Sequence, residues 1–139
     1  MTTAADIMTP GAQWISEDDT LERAAQLMRE LNVGALPVSD GDERMSGIIT
    51  DRDIVVDCVA TGGDPSQVTA GELAQGTPRW IAADAELDEV LHEMGDAQVR
   101  RLPVIDGDKR LVGMISEADL ARELSDDQLA DFVVSVYAA

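Results

Sequence analysis

Two short stretches hold the side chains best suited to chemistry: Thr50-Asp51-Arg52-Asp53 and Ser116-Glu117-Ala118-Asp119. In each, a hydroxyl precedes a carboxylate by three residues. In each, the hydroxyl comes directly after an apolar pair, Ile48-Ile49 or Met114-Ile115, that reads as the end of a buried strand. The residues after the hydroxyl read as the first turn of a helix, where backbone N–H groups lack partners. Two chemistries fit this pattern. The hydroxyl and carboxylate can close a capping box, each accepting from the other's backbone N–H. They can also face a ligand, since a carboxylate accepts from a diol and a helix start favours phosphate. The two are not exclusive: a carboxylate that caps in one state can be recruited in another.

Basic side chains are distributed unequally around the two stretches. Arg52 lies inside the first, where the second has Ala118. Arg100 and Arg101 precede Leu102-Pro103-Val104, where the related Leu36-Pro37-Val38 is preceded by Gly34 and Ala35. The chain carries 10 Lys and Arg against 28 Asp and Glu, a net charge of −18. Such acidity argues against nucleic acid or an anionic membrane as partner, because phosphate neutralisation needs clustered cations. Any nucleotide site must be locally basic. The arginines therefore either pair with the acidic surface or gather on an anionic ligand. Gathering would make the site at Thr50 and Asp53 the better one and that at Ser116 and Asp119 the poorer.

Catalytic and metal-binding patterns are missing from the sequence. It has neither a Gly-x-x-x-x-Gly-Lys phosphate loop nor a Gly-x-Gly-x-x-Gly fingerprint. The single His, His92, falls mid-helix without a Ser or Cys partner. The single Cys, Cys58, lies in the apolar run Ile54–Ala60 with no basic neighbour, which predicts a buried, inert thiol. The acidic turns Asp40-Gly41-Asp42-Glu43 and Asp106-Gly107-Asp108 lack EF-hand spacing and read as hairpin turns. No enzyme, catalytic residue or required cofactor is expected.

The elements that must position these residues come from a repeat. Displaced by 66 positions, residues 3–56 align without a gap on 69–122, and about a third of the positions are identical. Trp14-Ile15 meets Trp80-Ile81, Gly47 meets Gly113, and Asp53 meets Asp119. Each copy reads as a lead-in turn, a short strand (Gln13–Ile15), a helix, two strands joined by an acidic turn (Val33–Val38, Met45–Thr50) and a second helix (Asp51–Ala60). Asp19 reads as the first helix's N-cap, with Glu22 as its capping-box partner. The second copy predicts helices over Leu87–Ala97 and from about Glu117 to Leu124. This divides the chain into a unit at 1–62, a linker at 63–68, a unit at 69–124 and a C-terminal helix at 125–139. In that helix Ser125 and Gln128 form a capping box. Leu129, Phe132, Val133, Val136 and Tyr137 make one apolar face, which either packs on its own chain or contacts a second copy.

With 139 residues and 45% apolar content, the chain can bury a core, built from aliphatic side chains because aromatics make up only 3%. No apolar run approaches the roughly 20 residues of a membrane helix. The start, Met1-Thr2-Thr3-Ala4-Ala5-Asp6, lacks the n- and h-regions of a secretory signal. The expected location is the cytoplasm.

The ordered set of strand, helix, strand with Leu-Pro-Val, turn, strand with Gly-x-Ile-[Thr/Ser]-x-x-Asp and helix, found twice, resembles a tandem pair of cystathionine-β-synthase (CBS) domains, a Bateman module. Ile49–Val55, Thr69–Leu73 and Gln98–Val104 further resemble stand-alone actinobacterial CBS proteins of the hypoxic-response or dormancy type. The resemblance implies an α+β fold of two pseudo-twofold related β-α-β-β-α units packed sheet to sheet, and a homodimer. It implies a stress-response regulator that binds AMP, ATP or a related nucleotide in an inter-unit cleft and signals to a separate effector protein. The alternative is a ligand-free CBS-pair dimer acting through protein interaction. In nucleotide-binding relatives the motif Asp binds ribose, and the Thr or Ser and nearby basic residues lie at the phosphates. This carries over to Thr50, Arg52, Asp53, Arg100, Arg101, Ser116 and Asp119. Adenine lodges near the first strand, so Trp14 and Trp80 either line a base pocket, fill it, or pack structurally.

Overall fold

A computed structural model of the chain describes residues 1–11, 13–42, 44–74 and 79–137. Glu43 of the first acidic turn and Ala138 and Ala139 of the predicted last helix lie outside the described residues. The elements are α1 (Ala4–Ile7), β1 (Thr9–Pro10), β2 (Ile15–Ser16), α2 (Leu21–Leu31), β3 (Ala35–Ser39), β4 (Met45–Thr50) and α3 (Asp51–Asp53), which continues as a π-helix over Ile54–Val59. Then come α4 (Ala70–Leu73), β5 (Ile81–Ala82), α5 (Leu87–Ala97), β6 (Arg101–Ile105), β7 (Leu111–Ser116), α6 (Glu117–Glu123) and α7 (Asp126–Tyr137). The fold is α+β.

Compactness divides the chain differently from the repeat. One unit is continuous, Gln13–Pro78; the other joins Met1–Ala12 to Arg79–Ala139. Each copy's lead-in turn is thus built into the unit of the other copy. In the second-copy unit, Ala4 N–H donates to the Ala85 carbonyl at 2.8 Å and Ala5 N–H to that of Ala83 at 2.9 Å. In the first-copy unit, the equivalent bonds run from Ala70 N–H to Asp19 at 2.7 Å and from Gly71 N–H to Glu17 at 2.9 Å. These donors lie in the first turns of α1 and α4, where N–H groups have no intrahelical partner. Ala4 and Ala70 are fully buried.

The first-copy sheet has the order β2-β3-β4, with β2 parallel to β3 and β3 antiparallel to β4. The second-copy sheet repeats this as β5-β6-β7 and adds β1 antiparallel to β7. Pro37 and Pro103 sit fully buried in the central strands, a placement that removes a ladder donor. A register shift comes after each, at Val38/Ser39 and at Val104/Ile105. Leu21, Leu36, Val38 and Ile49 anchor one core; Val90, Met94, Leu102, Val104, Ile115 and Leu120 anchor the other. Each such side chain contributes roughly 1.5–3 kcal/mol by leaving water.

Local details depart from the sequence reading. The N-cap of α2 is Thr20, whose hydroxyl accepts from Arg23 N–H, and not Asp19. The Asp19 carboxylate turns back to accept from Ser16 N–H at 3.2 Å. The first strand starts at Ile15, leaving Trp14 outside it, and β3 starts at Ala35 because α2 ends at Asn32 in the left-handed region. The helix after Thr50 is mostly π-wound, whereas its counterpart α6 stays α-helical. The last helix packs on its own chain. Phe132 and Val136 are buried in the second-copy core, and Ser135 Oγ lies 2.9 Å from where a Cβ on Gly95 of α5 would stand. Val133, Val134 and Tyr137 remain exposed.

Gly47 and Gly113, equivalent in the repeat, are close-approach positions. A Cβ on Gly47 would stand 2.8 Å from Ala74 Cβ; one on Gly113 would stand 2.8 Å from the Thr9 carbonyl oxygen. Gly41 has open space. Gly47→Ala and Gly113→Ala should each lower unfolding free energy by about 1–3 kcal/mol in urea titrations, and Gly41→Ala should not. Equal midpoints for all three would contradict the packing described.

Candidate functional site

The two junctions are capping boxes, and they differ in what else they hold. At the first, Thr50 N–H donates to Asp53 Oδ2 at 3.0 Å and Asp53 N–H donates to Thr50 Oγ1 at 3.1 Å. Both residues are half-buried. Asp53 Oδ1 has no hydrogen-bond partner among the described residues. Arg52 is exposed, one residue before the carboxylate, and makes no ion pair among the described residues. The π-helix begins directly after Asp53. Such windings recur at functional sites.

At the second junction the carboxylate is saturated. Ser116 N–H and Oγ donate to Asp119 Oδ2 at 2.9 and 3.1 Å. Thr9 Oγ1 donates to Asp119 Oδ1 at 2.9 Å, and the Arg122 guanidinium donates to the same oxygen. Asp119 is 2% exposed. Neither Thr9 nor Arg122 belongs to the site read from the sequence. Arg122 left a signal there, a cation three residues after a helical Asp, where the other copy has Val56. Thr9 left none, being 110 residues from its partner.

The predicted arginines are divided between the compact units: Arg52 lies in the first-copy unit, Arg100 and Arg101 in the second. Within its unit Arg101 is the cross-strand partner of Ser116. Arg100 lies over the Tyr137 ring, 6.0 Å from its centroid. The expected pairing of these three arginines with surface acids is not seen among the described residues, whose ion pairs involve Arg23, Arg79 and Arg122. The same holds for Arg29, Arg44, Lys109 and Arg110, so placement beside the junctions is what distinguishes them. The tryptophans are not core residues. Trp80 is 50% exposed and Trp14 half-buried, while Ile15 and Ile81 fill the core from the adjoining strands.

Tyr137, the only tyrosine, joins the end of α7 to the second junction: its hydroxyl donates to Glu117, the first residue of α6. That bond to a carboxylate, with some desolvation, holds the phenol above its ordinary value of 10.0, against an opposing contribution from Arg100. Near the chain start, the carboxyl of Asp6 is lowered by accepting from Thr3 N–H and then from the Thr3 hydroxyl.

This architecture, two copies of a strand-helix-strand-strand-helix unit each ending in a Thr/Ser-x-x-Asp junction, defines the class of regulatory CBS pairs. The CBS-domain family model matches residues 4–57 and 70–126, and the chain belongs to that family. Hypoxic response protein 1 of Mycobacterium tuberculosis is 47% identical over 136 residues, covering 98% of this chain and 94% of that protein. A crystal structure of Hypoxic Response Protein I with two coordinated zinc ions superposes with a TM-score of 0.82 at 49% identity, covering 89% of this chain and all of the other. CBSX2 of Arabidopsis thaliana in complex with AMP superposes at 0.75 with 24% identity, over 88% and 96% of the two chains, a likeness of fold. The cytosolic domain of the Mg2+ channel MgtE in complex with ATP gives 0.75 and 26%, over 88% and 48%.

Among the described residues the donors of this chain make no zinc site. The chain has one Cys and one His; Cys58 is buried in the first-copy unit and His92 is exposed on α5 in the second. No three His, Cys, Asp or Glu side chains among the described residues could hold a metal ion together. No described helix is long and apolar enough to cross a membrane.

The raised Tyr137 value gives a direct test. Its contribution to stability is fully present below the unfolded value near 10 and is lost as pH rises through the higher folded value. Tyrosinate absorbance should therefore show the sole tyrosine ionising above pH 10, and Glu117→Gln should move that midpoint down. Ionisation at or below pH 10 in the native protein would contradict the contact.

Proposed function

We propose that this chain is a regulatory CBS-pair module that binds an adenosine nucleotide of the AMP or ATP kind at the Thr50–Asp53 junction and signals to a separate protein. The observation that carries the reading is Asp53 Oδ1, which accepts no hydrogen bond among the described residues, beside Arg52, which makes no ion pair among them, in a half-buried junction. The carboxylate would accept from the ribose diol. The Thr50 hydroxyl would face phosphate, with the exposed Arg52 supplying positive charge beside it. AMP on CBSX2 and ATP on MgtE support the ligand class. The likeness to hypoxic response protein 1 supports a role in a stress response. The module acts as a cytoplasmic homodimer that binds without catalysing a reaction. Its ligand signals only if it binds two conformations with different affinity.

A ligand-free interaction protein is the second reading. Its specific support is that both capping boxes are closed and Asp119 is fully engaged. Calorimetry with AMP and ATP separates the two. Binding should be seen, and Asp53→Ala should weaken it about 10- to 100-fold, the worth of a hydrogen bond to a charged group. Asp119→Ala should change affinity far less. No heat and no thermal shift at millimolar nucleotide would leave the interaction reading standing.

A further inference from the structure

The two junctions share a scaffold, a hydroxyl and a carboxylate, yet among the described residues Asp53 Oδ1 accepts no hydrogen bond and Asp119 Oδ1 accepts two. Among the described residues, two side chains make the difference. Arg122 stands three residues after Asp119 and bonds its Oδ1; the equivalent residue after Asp53 is Val56, which has no donor. Thr9, in β1 opposite Met114 of β7, donates to the same oxygen. β1 belongs to the first copy's lead-in, so the chain's start is what reaches Asp119.

We infer that Thr9 and Arg122 together lock the second-copy junction, so that each chain offers one motif carboxylate to a ligand and not two. Asp119 has become a structural joint that fastens the exchanged β1 to the start of α6. Its Oδ2 holds the cap and its Oδ1 holds the lead-in, leaving no acceptor for an incoming diol. The lock also has a reason to persist: a carboxylate only 2% exposed is costly unless every partner stays in place. Arg122 itself remains largely exposed, with 67% of its side chain accessible. The count of one ligand rests on nucleotide binding at Asp53; the lock does not.

Two measurements on the full chain test this. Thermal unfolding cycles pair Thr9→Val with Asp119→Asn, and Arg122→Val with Asp119→Asn. Arg122→Val installs the residue that the first copy carries. Each single change should lower the melting temperature. Once Asp119 is neutral, removing Thr9 or Arg122 should cost much less than in the wild type. Additive melting shifts in both cycles would overturn the lock. Calorimetric titration with AMP should give one equivalent per chain for the wild type, and a second equivalent for Thr9→Val/Arg122→Val that Asp119→Asn abolishes. Two equivalents in the wild type, or one in the folded double variant, would overturn the inference. A wild type that takes no AMP would refute nucleotide binding at Asp53, while the melting cycles would still decide whether the lock exists.

Discussion

The exchange of lead-in turns is the constraint on which the rest depends. A unit of about 55 residues has little core to spare, and neither unit is complete without the other copy's first turn. The bonds from Ala4 and Ala5, and their equivalents from Ala70 and Gly71, satisfy helix-start donors that would otherwise be buried alone. Gly47 and Gly113 lack side chains because the exchanged segments pass against them. The β1 strand exists only because the chain continues from this turn along β7. Duplication alone would have given two self-contained copies; exchange gives two units, each completed by the other copy's lead-in turn.

That constraint also decides the chemistry of the junctions. Thr50-x-x-Asp53 and Ser116-x-x-Asp119 begin as the same capping device, and in both the box is made. Where β1 brings Thr9 to Asp119 and α6 carries Arg122, the carboxylate is used up. Where the corresponding helix carries Val56 and winds as a π-helix, one oxygen has no partner among the described residues. A carboxylate in a capping box needs only one oxygen for the cap, so the second is the part open to function. A difference between binding and structure can therefore arise from a residue outside the motif.

The strongly acidic surface makes the few cations meaningful by their position. Arg52 adjoins the open carboxylate. Arg100 lies over Tyr137, whose hydroxyl binds Glu117 at the head of α6. The last helix thus does more than cover α5: its end reaches the same junction that β1 locks. Two peripheral segments, one from each end of the chain, converge on Asp119 and its neighbour Glu117, and none of the described hydrogen bonds does the same at Asp53.

Local structure is legible in the residues themselves. The 66-residue repeat, the strand over Met45–Thr50, the helix over Leu87–Ala97 and both capping boxes come from apolar periodicity and from hydroxyl-carboxylate spacing, which act within one turn or one strand. Cap placement at Thr20 rather than Asp19 was lost because adjacent polar residues compete, and a side-chain bond to Ser16 decided between them. The exposure of Trp80 was lost because a large apolar residue beside a strand reads as core. Which copy's lead-in completes which unit, and that Thr9 closes on Asp119 across 110 residues, emerges in the folded chain alone. The physical reason is that caps and periodicity are short-range, while the saturation of a buried carboxylate depends on whichever donors folding brings to it.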